Sequence, residues 1–222
     1  MIYQLYRKNR FLLLPLLAAT ALISSIVFSP AATAKLFDGP VDVLPLEQRV
    51  SLRNGEVVFL GKDGDYTCRL LVKTSVDNAW QVLTDYEHFA EFLPGVVSSE
   101  IVETDGNLKV FEQINNIKTL IFSIRSRVKI ASTESYPEQI AFQAVDGDLK
   151  TLNGEWLLEP VSPYPSAPPD SVLITHKVTV EPAEAPSDSI FFSIYEDRLQ
   201  ETLLAIKQEA EKRAGNLTED EQ

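Results

Sequence analysis

Two histidines, one cysteine and a few acidic and basic side chains are the residues of this 222-residue chain whose types could do chemistry. His176 sits in the alternating run 171–181, sharing its parity with Val172, Ile174, Val178 and Val180 against Thr175, Lys177 and Thr179, so it is expected to point inward. An inward histidine is ordinarily a satisfied core residue; the functional readings beside it are a donor that orients a ligand and a general acid or base. His88, flanked by Glu87 and Glu91, is expected at the surface. Cys68 alternates with Tyr66, Leu70 and Val72 and reads as a small buried hydrophobe, with no second cysteine to form an intramolecular disulfide. Asp85-Tyr86-Glu87 resembles an acid pair, but its ordinary reading is a turn between two helices, with Asp85 capping the second. Glu112 shares parity with Val110 and Ile114, and either that set or Phe111 and Gln113 faces the interior.

Other chemistries lack their residues. No serine sits in a nucleophile elbow and no glycine-rich loop follows a strand, which removes the main evidence for acyl transfer and nucleotide binding. No Cys or His spacing supplies converging metal ligands, and no cofactor is expected. A formal net charge of −12 argues against nucleic-acid binding. The one basic stripe, Arg125, Arg127 and Lys129, reads as a solvated outer face; docking to an acidic partner or to lipid headgroups is its alternative. The aromatic set is larger than one amphipathic helix needs: Trp80, Phe89, Phe92, Phe122, Phe142, Trp156, Phe191, Phe192 and Tyr195. Core packing accounts for such a set, and an apolar ligand cavity would draw on the same types with a few polar groups among them. On the cavity reading the ligand-binding candidates are Trp80, Phe89, Phe92, Phe122, Phe142, Trp156, His176, Phe191, Tyr195 and Leu199.

These residues must be positioned by a sheet and one long helix. In 187–214, Phe191, Phe192, Tyr195, Leu199, Leu203, Ile206 and Ala210 fall on one face at about 100° per residue, with Ser187 or Asp188 as a start signal and Gly215 as a stop. Runs 56–60 and 65–74 flank Gly61-Lys62-Asp63-Gly64 and predict a hairpin. Ser75 caps a helix carrying Val76, Ala79, Trp80 and Leu83, and a second short helical segment, 86–93, is stopped by Pro94-Gly95. From 96 to 181 the chain reads as antiparallel strands, turning at Asp105-Gly106-Asn107 and Gly147, with Gly154 marking a bulge or a close approach in mid-strand. The Pro-rich stretch 162–170 is a stiff exposed loop. An antiparallel sheet with one apolar face needs a cover, and the long helix is available for it.

Residues 1–34 have the pattern of an export signal: a basic start with Arg7, Lys8 and Arg10, an apolar run 11–28, and the small-residue site Ala32-Thr33-Ala34. Cleavage after Ala34 is expected, with an uncleaved membrane anchor as the alternative. The domain organisation is then a signal peptide 1–34, a lead-in 35–55, one folded domain 56–214 and an acidic disordered tail 215–222. Export puts the protein in a periplasm or thylakoid lumen, or leaves it anchored by the amino-terminal helix.

Trp80-Gln-Val-Leu-Thr-Asp85-Tyr86 through Phe92-Leu93-Pro94-Gly95 resembles the opening of the START-like or SRPBCC superfamily, which includes polyketide cyclases, plant pathogenesis-related allergens and coenzyme-Q-binding proteins. Lys109 to Ile114 (KVFEQI), Gly147 to Trp156 (GDLKTLNGEW) and Ile194-Tyr195-Glu196 are similar to exported members from photosynthetic bacteria. The resemblance spans about residues 50–212, and its motifs describe turns and core positions rather than chemistry. It implies an α+β helix-grip fold: a curved antiparallel sheet of about six or seven strands wrapped around the long carboxyl-terminal helix, with two short helices after the first strand. It also implies binding, and transport, of a hydrophobic small molecule such as a lipid, quinone or isoprenoid between sheet and helix. Transient membrane contact is compatible with that role, and no protein partner is indicated. A cyclase/dehydrase-type enzyme and a non-enzymatic assembly factor with a filled core are the alternatives; a binding role without catalysis is the expected one.

Overall fold

The computed structural model describes residues 39–118, 123–183 and 187–220. The signal segment 1–34 and Phe122 lie outside the described residues. Eight antiparallel strands form one sheet in the order β1-β2-β8-β7-β6-β5-β4-β3. They are β1 (Val58–Lys62), β2 (Asp65–Val72), β3 (Val96–Asp105), β4 (Leu108–Lys118), β5 (Ser123–Ser135), β6 (Gln139–Gly147), β7 (Leu149–Val161) and β8 (Ser171–Pro182). Helices α1 (Leu46–Arg53), α2 (Val76–Leu83), α3 (Phe89–Phe92) and α4 (Asp188–Asp220) complete the domain, with a 3₁₀ turn at Tyr86–His88. This is the helix-grip arrangement, with eight strands instead of six or seven. The short helices follow the first hairpin rather than the first strand.

Local chemistry sets the turns. Asp63 and Gly64 both have positive φ, 55° and 101°, so β1 and β2 join through a two-residue turn whose hand matches the strand twist. Its register pairs Lys62 with Asp65. Ser75 accepts a hydrogen bond from the Asn78 N–H and caps α2 as its sequence position demands. Asp85 does not cap the next turn with its side chain; its carboxylate is taken by two cations described below.

The long helix runs through Gly215 to Asp220, where a stop and a disordered tail are expected from the sequence. Glycine ends a helix where the chain reverses into the left-handed region; without that reversal it only weakens one. The lead-in is not featureless either. It forms α1, which has a single fully buried apolar residue, Leu52, and therefore shows little periodicity. Leu52, Val41, Val58 and Leu173 make a small second core on the outer face of β1, β2 and β8.

The main core lies between the sheet's inner face and α2, α3 and α4. Leu70, Val72, Val172, Ile174 and Val180 face Leu203 and Ala210, all fully buried. Hydrogen bonds fasten α4 along its length: Tyr66 Oη donates to Glu196 at 2.9 Å, Lys207 Nζ to the Leu71 carbonyl at 2.7 Å, and Asn78 Nδ2 to the Ala210 carbonyl at 2.7 Å. The last fastening is ionic. Arg213 pairs with Asp85 and Glu209 at 2.8 Å each, its guanidinium lies 5.5 Å from the Phe92 ring centre, and His88 Nδ1 is 2.5 Å from Asp85.

This latch has a pH dependence of defined sign. Burial works against the Asp85 carboxylate, but His88 and Arg213 hold its pKa below the ordinary value, so its contribution is lost as pH falls through that depressed value. The Asp85 hydrogen bond raises the His88 pKa, so that contribution is complete below the unfolded value of about 6.5 and lost as pH rises through the folded one. The latch is therefore strongest between about pH 4 and 6.5. Asp85→Asn is expected to cost about 1 kcal/mol in urea unfolding at pH 6 and to flatten the profile across that window. An unchanged profile would show that the latch adds nothing to the other contacts that hold α4.

Candidate functional site

A cavity of about 780 Å³ lies between the inner face of the sheet and α4, with α2 and the 86–96 segment along one side. Its wall is largely apolar, and its volume is in the range that takes a small apolar ligand. Of the ten sequence candidates, Phe89, Phe142, Trp156, His176, Phe191, Tyr195 and Leu199 line it. Trp80 does not. It is 7% exposed, packed edge-on against Tyr136 at 5.3 Å, because α2 turns that residue toward the end of the β5–β6 hairpin. Phe92 also stands outside the lining, edge-on to Phe89 at 5.8 Å and beneath Arg213. Phe122 lies outside the described residues.

The floor is formed where β8 meets its neighbours. Register places Cys68 of β2 and Trp156 of β7 on either side of His176. Trp156 stacks on the imidazole with ring centres 3.8 Å apart, and Phe142 stacks at 5.5 Å. Gly154 makes this packing fit: a Cβ there would stand 2.0 Å from the Lys177 carbonyl oxygen and 2.8 Å from Phe142 Cζ. The close approach read from mid-strand glycine is thus a contact of backbone with backbone. Burial pushes the His176 pKa down to about 3, against a weaker opposing hydrogen bond of the ring with the Glu155 backbone, so the ring is neutral across the physiological range. Its Nδ1 has no hydrogen-bond partner. Burial likewise pushes the Cys68 thiol up to about 12, and with no exposed surface it is an inert core residue.

Tyr195 descends from α4 toward the same floor. Its ring stacks against Tyr66 at 5.8 Å and Phe191 at 6.0 Å. Tyr66 uses its hydroxyl on Glu196, and burial with that hydrogen bond raises its pKa to about 12. Burial raises the Tyr195 pKa, with Cys68 and Tyr66 adding to the rise.

Several lining residues lie outside the sequence candidates. Tyr86, assigned to a turn, is 3% exposed and stacks on Phe111 at 4.5 Å, its hydroxyl donating to Glu134 at 3.1 Å. Its spacing to Phe89 is the signal that would have found it. Phe111 and Gln113 are the inward set of β4, while Glu112 turns outward to Arg127 at 2.9 Å. Arg127 is then shared with Asp146 at 2.8 Å, so the centre of the basic stripe is neutralised on the outer face. Arg125 instead reaches the rim, where exposed Asp148, Ala183 and Ile190 also line the opening.

A family model described as polyketide cyclase / dehydrase and lipid transport matches residues 72–207. No curated protein sequence matches. Among solved structures, a STAR-related lipid transfer protein fragment from Xanthomonas axonopodis is 15% identical with a TM-score of 0.55, over 69% of this chain and 92% of that one. The ZhuI aromatase/cyclase from a Streptomyces species is 14% identical with a TM-score of 0.53, over 72% and 94%. Human STARD10 is 12% identical with a TM-score of 0.52, over 69% and 68%. At such identities these likenesses establish the fold, and both lipid carriers and cyclases share it.

Proposed function

The chain belongs to the polyketide cyclase/dehydrase and lipid transport family, and from that premise we propose that it binds, and carries, a hydrophobic small molecule in the cavity beneath α4. The observation that supports this reading most is the 780 Å³ space itself, lined largely by apolar and aromatic side chains. Burial supplies the binding energy at about 0.8 kcal/mol per methylene, so a lipid, quinone or isoprenoid chain needs few polar contacts. Uptake requires the rim to open between Pro94-Gly95 and the start of α4. The enzymatic alternative is less well supported. A neutral His176 with a pKa near 3 is a poor general acid or base at neutral pH. Export is part of the proposal: the basic start, apolar run and Ala32-Thr33-Ala34 support delivery to a periplasm or thylakoid lumen.

Organic extraction and mass spectrometry of protein purified from its host is the test. One stoichiometric lipid, quinone or pigment is the expected result; an empty extract, repeated after incubation with host lipids, would overturn the carrier reading. Loading has a thermodynamic counterpart. A ligand held at about 100 times its Kd adds about 2.7 kcal/mol, which for a domain of this size raises Tm by about 8 °C. Differential scanning calorimetry of stripped and reloaded protein reads that shift directly.

A further inference from the structure

We propose that the ligand carries one neutral oxygen, of ketone, quinone or alcohol type, lodged at the cavity floor between His176 and Tyr195 with its hydrocarbon extending toward the rim. The inference rests on the ligand-binding reading and names the chemistry of that site. His176 is 4% exposed and lines the cavity. Its Nδ1 is unpartnered, although buried polar groups in folded proteins are nearly always paired. The stack of Trp156 at 3.8 Å and Phe142 at 5.5 Å holds the imidazole in one orientation, so its hydrogen-bonding direction is preset.

Tyr195 supplies the second group. Among the described residues its hydroxyl has no hydrogen-bond partner, in contrast to the adjacent Tyr66, whose hydroxyl is committed to Glu196. The Tyr195 ring stacks on Tyr66 at 5.8 Å, and Tyr66 shares the inner face of β2 with Cys68, the register partner of His176, which brings imidazole and phenol to one part of the floor. A phenol O–H and a neutral imidazole together fit one uncharged oxygen. A carbonyl accepts from either; an alcohol accepts from the phenol and donates to an unprotonated ring nitrogen. A carboxylate does not fit. The charged lining residues Arg125 and Asp148 stand at the exposed rim, Arg198 is paired with Glu201 at 2.6 Å, and an ion at the floor would be desolvated without a counter-charge.

The experiment compares farnesol, farnesal, farnesene and farnesoic acid, whose apolar chains are closely matched, by titrating the quenching of tryptophan fluorescence in the purified protein at pH 8. Farnesol and farnesal are expected to bind about tenfold more tightly than farnesene, the factor of one hydrogen bond worth about 1.4 kcal/mol. Farnesoic acid is expected to bind more weakly than farnesol. The preference should vanish in His176→Phe and shrink in Tyr195→Phe, which removes one oxygen and preserves the ring, while farnesene affinity stays within about twofold. Equal affinity for farnesol and farnesene in the wild type, tightest binding of the acid, or a preference undiminished in Tyr195→Phe would overturn the proposal while leaving the carrier reading in place. Failure of all four to bind stripped protein would overturn both.

Discussion

Trp156→Ala is expected to weaken farnesol binding about 30-fold, a loss of about 2 kcal/mol, while far-ultraviolet circular dichroism stays native. Trp156 is a wall residue. It is half-buried, covers His176 with one face and lines the cavity. Removing it forfeits the contact a bound chain would make with the indole and lets water reach the imidazole, which then competes for the ligand's oxygen. The cost to folding is smaller than for truncation in a closed core, about 2 rather than 3–5 kcal/mol, because the side chain already faces open space. Isothermal titration against the wild type reads the affinity, and urea unfolding reads the stability. An unchanged affinity would move the ligand away from the junction of β7 and β8.

Gly154→Ala is the mutation with the largest expected effect on stability, a loss of about 3 kcal/mol. The added methyl would meet the Lys177 carbonyl oxygen at 2.0 Å and Phe142 Cζ at 2.8 Å. The ring has room to swing, but the carbonyl belongs to the neighbouring strand, where Gly154 pairs with Val178. Relief would therefore require β7 and β8 to separate, and with them the stack of Trp156 on His176. With an m-value of about 2 kcal/mol per molar, the urea midpoint should fall by about 1.5 M. A variant as stable as the wild type would show that the two strands are not held that closely.

What the sequence disclosed depended on whether local chemistry or distant contacts decided the outcome. Asp63-Gly64 and Gly106-Asn107 occupy turns that need positive φ at a glycine, and the period of 3.6 in Phe191 through Ala210 fixes the buried face of α4. Strict alternation in β8 sufficed to turn His176 inward. In β4 it did not, because the adjacent Val110 and Phe111 are both buried, so only the structure distinguishes Phe111 from Glu112. Trp80 and Trp156 look alike in sequence, yet one packs on Tyr136 and the other lines the cavity, a difference set by which neighbours the fold supplies. Asp85 has the form of a cap, but its carboxylate is claimed by Arg213 from the far end of the chain. No local pattern encodes that pair.

The pairing of β2 with β8 has a kinetic meaning. These strands come from opposite ends of the domain, and Cys68 meets His176 only when they join. Closing so long a loop is entropically costly before any contact rewards it, which places the chain among slowly folding, high-contact-order topologies. During synthesis β2 must wait for nearly the whole chain to leave the ribosome, and α4 follows later still. The imidazole, its indole cover and the phenol above it consequently have no partial form: no folding intermediate lacking β8 contains a binding site.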